Sequence, residues 1–323
     1  MSEGADFEAF YQAELRPVLE ELEVRRRRFW RDLGGTALFV AAGAGLVLVL
    51  TAPHRSPMLP IIVAAAALLV VLGMGALRSG PLKKEFKRRV VGAVARYVDP
   101  GLRYDPDGHI SPEQFRASGI FNHSIDRFQG EDYVAGRIGA TAIEFSELHA
   151  QYKTTTSTGK TTQTHWHTIF RGLFVIADFN KEFRGMTVVL PDVAEKALGW
   201  LGQKLQDAFD FVRRGELVKL EDPEFEREFA VYGDDQVEAR YVLSPSLMER
   251  LLAFKRKAGR QVYFAFVRSK AYIAITTRRN MFEPRWFGAM ADRELVEQYL
   301  RDLRFAAGIV EDLDLNTRIW TKA

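Results

Sequence analysis

Two long apolar runs near the start of the chain constrain its fold most strongly. Leu33 to Ala52 and Pro57 to Leu77 contain no Asp, Glu, Lys or Arg. Each run is about as long as a helix that crosses a ~30 Å hydrocarbon core. The short link between them, Pro53 to Ser56, leaves no room for a domain. Consecutive uncharged runs of this length rarely occur as core helices of a soluble domain, so the sequence predicts a transmembrane hairpin over residues 33–77.

Basic side chains flank both runs and predict the orientation of the hairpin. The link between the runs carries one cation, Arg55. Because cytoplasmic flanks are enriched in Lys and Arg, both chain ends are expected in the cytoplasm. The side chains that we expect to set this two-pass topology, and to contact lipid headgroups, are Arg25, Arg26, Arg27, Arg28, Lys83, Lys84, Lys87 and Arg88.

The segments beside the hairpin have helical patterns. Residues 1–32 carry apolar side chains at roughly helical spacing, which predicts an amphipathic cytoplasmic helix. Residues 78–98 combine an apolar stripe with lysines off that stripe, which predicts a basic juxtamembrane helix. Such a helix either lies along anionic headgroups or packs on the cytoplasmic domain, and the pattern leaves both interpretations open.

Charge and cysteine content exclude several classes of function. Residues 1–99 hold 14 Lys/Arg and 10 Asp/Glu, which leaves 31 and 32 of the total 45 and 42 for the rest of the chain. The large C-terminal region therefore lacks the basic footprint that a nucleic-acid reader needs. The chain has no cysteine, which excludes disulfides, thiolate catalysis and Cys-ligated metal sites.

Residues 99–323 are predicted to form a cytoplasmic α+β domain with two lobes, about 110–215 and 216–323, each with strands followed by a helix. In the first lobe, strands are predicted over 133–138, 141–146, 170–177 and 186–190, with a polar hairpin tip at Lys153 to Thr164. The helix of this lobe is predicted to begin at Pro191 and Asp192.

The second lobe has its own strand and helix signals. Phe225 to Tyr232 and Val237 to Leu243 are predicted as strands, and Gln261 to Val267 with Ala271 to Thr277 as a hairpin. Ser244 followed by Pro245 predicts the start of a helix. A last helix is predicted to start near Asp292.

The motif His165-Trp166-His167 is the one candidate metal site of the sequence. Two strand histidines one residue apart point to the same side and could hold zinc or iron if a third ligand joins them. His123, His149, Glu144 and Asp178 are candidate third ligands, but none has a diagnostic spacing. Simple alternation puts Arg171 on the same strand face as the two histidines, and its positive charge argues against a bound metal cation there. A polar strand face is therefore the favoured interpretation.

Other motifs give no catalytic assignment. Thr154 to Thr161 reads TTTSTGKT and resembles a phosphate-binding loop, but its first glycine is missing and strand residues follow where a helix is required. The nucleophile elbow, the zinc-protease motif and the glycine-rich dinucleotide turn are absent from the sequence. No catalytic residue and no cofactor are therefore predicted, and an enzyme is less favoured than a binding protein.

Several longer strings are similar to a bacterial two-span membrane-protein family of unknown function, domain of unknown function 3137. They are EDYVAGRIGATAIEFSELHAQY (131–152), FRGLFVIADFNKEFRGMTVVLPD (170–192) and FAVYGDDQVEARYVLSPSLMERL (229–251). The resemblance implies a protein of the bacterial inner membrane with a cytoplasmic α+β domain. It implies no activity and supplies no site residue.

The favoured hypothesis is a membrane-anchored cytoplasmic binding or scaffold module that binds a protein partner or lipid headgroups and no nucleic acid. A metal-assisted hydrolase that uses His165 and His167 is one alternative. A transport component is the other; since the two spans contain no ionisable side chain, that role requires a homo-oligomer. The identity of any ligand or partner is open.

Overall fold

A computed structural model describes residues 3–50, 58–157, 159, 161–191, 215–285, 288–290 and 292–316. The chain divides into two compact units. One comprises Met1–Ala93 with Glu283–Gln298, and the other comprises Val94–Phe282 with Tyr299–Ala323.

The first unit is built on long helices. Helix α1 (Glu3–Phe10) leads through a π-helical turn (Tyr11–Leu15) into α2 (Arg16–Leu50). Helix α3 (Leu59–Phe86) leads through a second π-helical turn (Lys87–Val91) into α4 (Gly92–Val98). The segments predicted to be helical on both sides of the apolar runs are thus helical in the structure. The link between the runs lies outside the described residues.

Helices α2 and α3 run antiparallel. Arg25 binds Glu85, and a Cβ at Gly75 would lie 3.5 Å from the Leu33 side chain. Two of the described helices are long and apolar enough to cross a membrane, and no side chain in their most apolar windows is buried. Phe39 is 81% exposed and Leu77 is 80% exposed. Full exposure of such side chains is unfavourable in water, and it agrees with the predicted transmembrane hairpin.

The second unit contains the sheet. Its strands are β1 (Arg103–Asp105), β2 (Arg127–Ile138), β3 (Thr141–Ser157), β4 (Thr162–Asp178), β5 (Met186–Pro191), β6 (Glu216–Leu217), β7 (Phe229–Gly233), β8 (Val262–Val267) and β9 (Lys270–Thr276). The described strands form one antiparallel sheet in the order β1-β2-β3-β4-β9-β8-β5-β7-β6. Since β5 of the first predicted lobe pairs with both β7 and β8 of the second, strands of both lobes share this sheet.

Helices accompany the sheet. They are α5 (Pro112–Ala117), α6 (Pro223–Glu228), α7 (Gln236–Val242), α8 (Pro245–Ala258), α9 (Arg293–Ala307) and α10 (Ile309–Asp312). Phe115 of α5 packs against Phe170 and Phe174, which point to one face of β4. Phe254 of α8 contacts Phe264 of β8 and stacks on Phe305 of α9. Buried aromatic side chains therefore hold helices against the sheet, and the α+β class is confirmed.

In the second lobe one strand prediction is wrong, and another is correct only from Phe229 onward. Val237 to Leu243 forms helix α7, because the Asp235 carboxylate accepts hydrogen bonds from the amides of Val237 and Glu238 at its first turn. Phe225 lies in helix α6, which begins after the capping residue Asp222, and the strand starts only at Phe229. A capping aspartate outweighed the strand propensity of the apolar residues that follow it.

The remaining strand predictions agree with the structure. The strands over 133–138 and 141–146 lie within β2 and β3, and those over 170–177 and 186–190 lie within β4 and β5. The 261–277 hairpin is formed by β8 and β9, and the helix predicted near Asp292 is α9. The helix predicted from Asp192 onward lies outside the described residues, as do Thr158 and Lys160 of the hairpin tip.

Candidate binding ribbon and the predicted site residues

Strands β3 and β4 extend beyond the strands that flank them. Strand β2 pairs with β3 only as far as Gln151, and β9 pairs with β4 only from Gly172 onward. Residues 152–157 of β3 and 162–170 of β4 therefore form a two-stranded ribbon, and no other described strand pairs with its outer edges. Most side chains of this ribbon are exposed. On the β3 edge the Lys153 amide donates to Asp126, whereas the outer edge of β4 before Gly172 has no neighbouring strand among those described and can accept a further one.

A β-bulge at the base of the ribbon changes which side chains share a face. Gln151 pairs with Thr168 while Ala150 pairs with Phe170, so Ile169 is the extra residue on β4. An extra residue inverts the alternation of side chains. Arg171 therefore lies on the face opposite to His167, whereas uninterrupted alternation predicted one shared face.

One face of the ribbon carries a stack of three rings. The Tyr152 ring lies between the imidazoles of His123 and His167, with ring centroids 4.3 Å and 4.8 Å apart. Nε2 of His167 shares a hydrogen bond of 2.9 Å with the Thr154 hydroxyl. The sequence gives no signal for Tyr152, and it marks His123 only as a candidate third metal ligand. Their proximity depends on strand register, which no local pattern specifies.

The opposite face carries a cation–aromatic pair. The guanidinium carbon of Arg127 lies 4.0 Å from the Trp166 ring, and Trp166 remains 40% exposed. Further along this face, Nε2 of His149 lies 3.3 Å from the Thr168 hydroxyl. Burial, and then the nearby Arg171 and Arg127, lowers the pKa of His149. This face therefore presents a large exposed aromatic residue beside fixed cationic charge.

Among the described residues, no third metal ligand lies at the predicted histidine pair. His165 and His167 are exposed on the ribbon, and neither belongs to a described group of three ligand atoms within 4.8 Å. His149 points to the other face, and Glu144 accepts hydrogen bonds from Gln114 and Tyr133. The metal assignment of His165 and His167 stays a hypothesis that metal analysis can test.

A group of three carboxylates lies elsewhere, at the irregular pairing of β2 with β3. Ligand atoms of Glu131, Asp132 and Glu147 lie within 4.8 Å of one another. Asp132 has a φ of 61° and accepts a hydrogen bond from the Tyr104 hydroxyl. Glu147 accepts the amide of Met281. These hydrogen bonds give the carboxylates structural roles.

The basic side chains that were predicted to set the membrane topology all lie in the first unit, and several of them bind carboxylates. Glu23 accepts hydrogen bonds from Arg26 and Arg27. Arg25 binds Glu85. Lys87 is 4% exposed and lies 2.8 Å from Glu283, which also lies 3.5 Å from Lys83.

Burial and ion pairing decide which of these cations can reach a headgroup. Burial alone would raise the pKa of Glu283, but hydrogen bonding and the charge of Lys87 and Lys83 lower it. Lys87 is thus committed to an intramolecular pair. Arg28 and Arg88 are exposed and bind no carboxylate among the described residues, and Lys84 is exposed as well.

Comparisons with known proteins agree with the family resemblance. Residues 168–315, just under half of the chain, match the model of a family described as protein of unknown function (DUF3137). No curated protein matches the chain significantly. The crystal structure of the mycobacterial trehalose monomycolate transport factor A, TtfA, is similar with 12% identity and a TM-score of 0.31, over 70% of this chain and 97% of that one. A likeness this weak carries no argument about fold or function.

Proposed function

We propose that the protein is a membrane-anchored binding module that captures an extended segment of a partner protein on the outer edge of β4. The open β4 edge carries this proposal. From Gly172 onward β4 has β9 as its neighbour, whereas residues 162–170 have none among the described strands. Addition of an extended peptide to an open edge supplies main-chain hydrogen bonds, and side-chain pockets then supply specificity.

The charge of the ribbon favours an acidic segment of another protein over a second copy of this chain. The sequence from Tyr152 to Thr168 contains Lys153, Lys160 and two histidines and no Asp or Glu. Two such ribbons side by side would place like charges together, which is unfavourable. Trp166 provides an exposed aromatic anchor of the kind that concentrates binding energy at interfaces.

The anchor in this proposal is the pair of apolar helices, and the proposed location is the bacterial inner membrane with both chain ends in the cytoplasm. The distribution of Arg and Lys around the two apolar runs supports this orientation. Protease treatment of intact spheroplasts tests it. The C-terminal domain is expected to stay protected until the membrane is permeabilised, and cleavage in intact spheroplasts would contradict the orientation.

Because the chain has no cysteine, one introduced thiol reports on one site. Thr164→Cys puts a thiol on the ribbon, and Val237→Cys puts one on helix α7, where Val237 is 77% exposed. Each full-length variant would carry a cleavable photo-crosslinker in intact cells. We expect one defined protein at Thr164→Cys and none at Val237→Cys. Identical crosslinks at both positions would contradict a ribbon-specific partner.

A shortened ribbon provides the decisive control. Tyr152 and His167 are directly opposed, so an Asn-Gly turn can replace residues 153–166 and keep the Tyr152–His167 stack. The crosslinked partner, purified, should bind the full-length protein and lose at least tenfold in affinity with the shortened variant. Equal affinities would overturn the proposal, provided that both proteins melt at similar temperatures.

A further inference from the structure

A cavity of about 840 Å³ lies at the base of the ribbon, where β9 ends. Its wall comes from the end of the open β4 edge, from the start of β8 and from the residues after β9. Gly172 lets β4 and β9 approach closely here, since a Cβ at this position would lie 2.0 Å from the Ile275 carbonyl oxygen. The amide of Thr277 donates a hydrogen bond of 3.0 Å to the Arg171 carbonyl. The local backbone is thus fixed by main-chain contacts.

Four arginines line this cavity: Arg171, Arg260, Arg278 and Arg279. Arg279 makes two hydrogen bonds, of 2.8 and 2.9 Å, to the Asp302 carboxylate and is neutralised by it. Arg171 donates to the neutral side-chain amide of Asn280 at 3.0 Å. Neither Arg260 nor Arg278 has a carboxylate within ion-pair distance among the described residues. Arg260 and Arg278 therefore line the cavity without a bound carboxylate among the described residues, whereas the Arg171 side chain points to the opposite sheet face and is bonded to Asn280.

The backbone supports the positions of these arginines. Arg260 follows Gly259, which ends helix α8 in the left-handed conformation with a φ of 60°. Arg278 follows Thr277, whose hydroxyl accepts a hydrogen bond of 3.3 Å from the Arg279 amide. The main chain at Arg260 and Arg278 is thus held by a helix end and by a hydrogen bond.

The cavity also has an apolar side. Ile169 and Tyr263 are half-buried lining residues. The Tyr263 ring packs on Phe121 at 5.2 Å between centroids, and its hydroxyl donates to Gln261 at 3.3 Å. A neighbouring cavity of about 350 Å³ shares Arg171, Thr277 and Arg279 with it and also carries Glu131 and Glu147. Glu131 and Glu147 are not among the lining residues of the larger cavity.

We propose that this cavity binds the phosphate group of an organic phosphate, through Arg260 and Arg278, with the organic part against Ile169 and Tyr263. The planar, permanently charged guanidinium matches the geometry of phosphate oxygens and binds them in a bidentate manner. A volume of this size accommodates a small-molecule ligand. Both a membrane phospholipid and a soluble phosphorylated compound supply this chemistry. This proposal can be tested apart from the proposed capture of a partner, since the shortened ribbon keeps every lining residue of the cavity.

The test uses full-length protein in a neutral detergent and two probes. Inorganic pyrophosphate represents a soluble phosphate, and dihexanoyl phosphatidic acid below its micelle concentration represents a lipid phosphate. The site variant is Arg260→Gln with Arg278→Gln. The matched control is Arg103→Gln with Arg184→Gln. The guanidinium groups of these exposed arginines of the same unit also bind no carboxylate among the described residues, and their replacement changes the net charge equally.

We expect calorimetric binding of at least one probe, at least tenfold weaker in the site variant and unchanged in the control. Binding of pyrophosphate alone assigns the site to a soluble phosphate, and binding of phosphatidic acid alone assigns it to a lipid. Absence of binding by both probes would overturn the proposal. An equal loss in the site and control variants would also overturn it, since net charge would then explain the binding.

Discussion

The backbone amide of Met290 donates a hydrogen bond of 3.0 Å to the carboxylate of Glu23, 267 residues earlier in the chain. The same carboxylate accepts hydrogen bonds from Arg26 and Arg27. Glu23 is only 8% exposed, so its charge depends on these partners. A residue that follows no recognisable motif thus ties two distant segments of the first unit together.

Glu23 should make stability depend on acid pH. The Arg26 hydrogen bond, with the Met290 amide and Arg27, lowers the pKa of Glu23 to about 2 against the opposing effect of burial. The unfolded chain has a value near 4.3. A carboxylate whose pKa is lower in the folded protein contributes its full stabilisation above about pH 4.3, the value in the unfolded chain. This contribution is lost as the pH falls towards about 2, the value in the folded protein. The melting temperature should therefore fall more steeply over this range in the wild type than in Glu23→Gln.

Glu20→Gln is the matched control for Glu23→Gln. Glu20 pairs with Arg16, and these side chains are 60% and 57% exposed, so the variant should change stability little. Glu23→Ala, which leaves Arg26 and the Met290 amide without their acceptor, should cost about 2–4 kcal/mol in unfolding free energy. Equal losses for the two positions in denaturant titrations would contradict the role of Glu23.

Lipid selectivity should depend on the exposed cations and not on the buried one. Arg28→Gln with Arg88→Gln removes two exposed charges that no described carboxylate neutralises. Each such charge contributes about 1 kcal/mol at an anionic surface, or roughly fivefold in relative affinity. In nanodiscs, the double variant should no longer bind spin-labelled phosphatidylglycerol in preference to spin-labelled phosphatidylcholine.

Lys87→Gln serves as the comparison for that lipid experiment. Lys87 is 4% exposed and bound to Glu283, so this variant should keep the lipid preference and melt at a lower temperature. Loss of the preference on Lys87 substitution alone would show that the helix adopts a different packing from the one described.

Metal analysis should separate the two interpretations of the histidine pair. His167 is stacked on Tyr152 and hydrogen-bonded to Thr154, and the described residues offer no third ligand at the pair. Protein purified without a histidine tag should therefore contain well below one equivalent of zinc, iron or manganese by mass spectrometry. Stoichiometric metal that disappears in His165→Ala with His167→Ala would favour the hydrolase instead.

Gly172→Ala should disrupt the contact between β4 and β9. Gly172 has a φ of 155°, and an added Cβ would meet the Ile275 carbonyl oxygen at 2.0 Å. The expected loss is roughly 2–4 kcal/mol in unfolding free energy. Gly159→Ala is the control, since that glycine has a φ of 72° with nothing within 4 Å and should cost about 1 kcal/mol. Equal melting temperatures would contradict the close approach of the two strands.

Local patterns predicted elements whose signals lie within a few residues. The β8–β9 hairpin and the helix that begins at Pro245 follow from side-chain alternation and from a capping serine with proline. The segment from Val237 to Leu243 failed as a strand because its apolar residues fit either period. The capping hydrogen bonds of Asp235 decided in favour of the helix.

The sequence alone determined the two uncharged runs, the basic flanks and the absence of cysteine, because hydropathy and charge belong to residues whatever their contacts. Only the tertiary structure decided that Lys87 is buried, that Arg171 faces away from His167, and that Arg260 and Arg278 line one cavity. The physical reason is that burial, register and convergence depend on segments far apart in the chain. One inserted residue at Ile169 is enough to reverse which face of a strand each later side chain occupies.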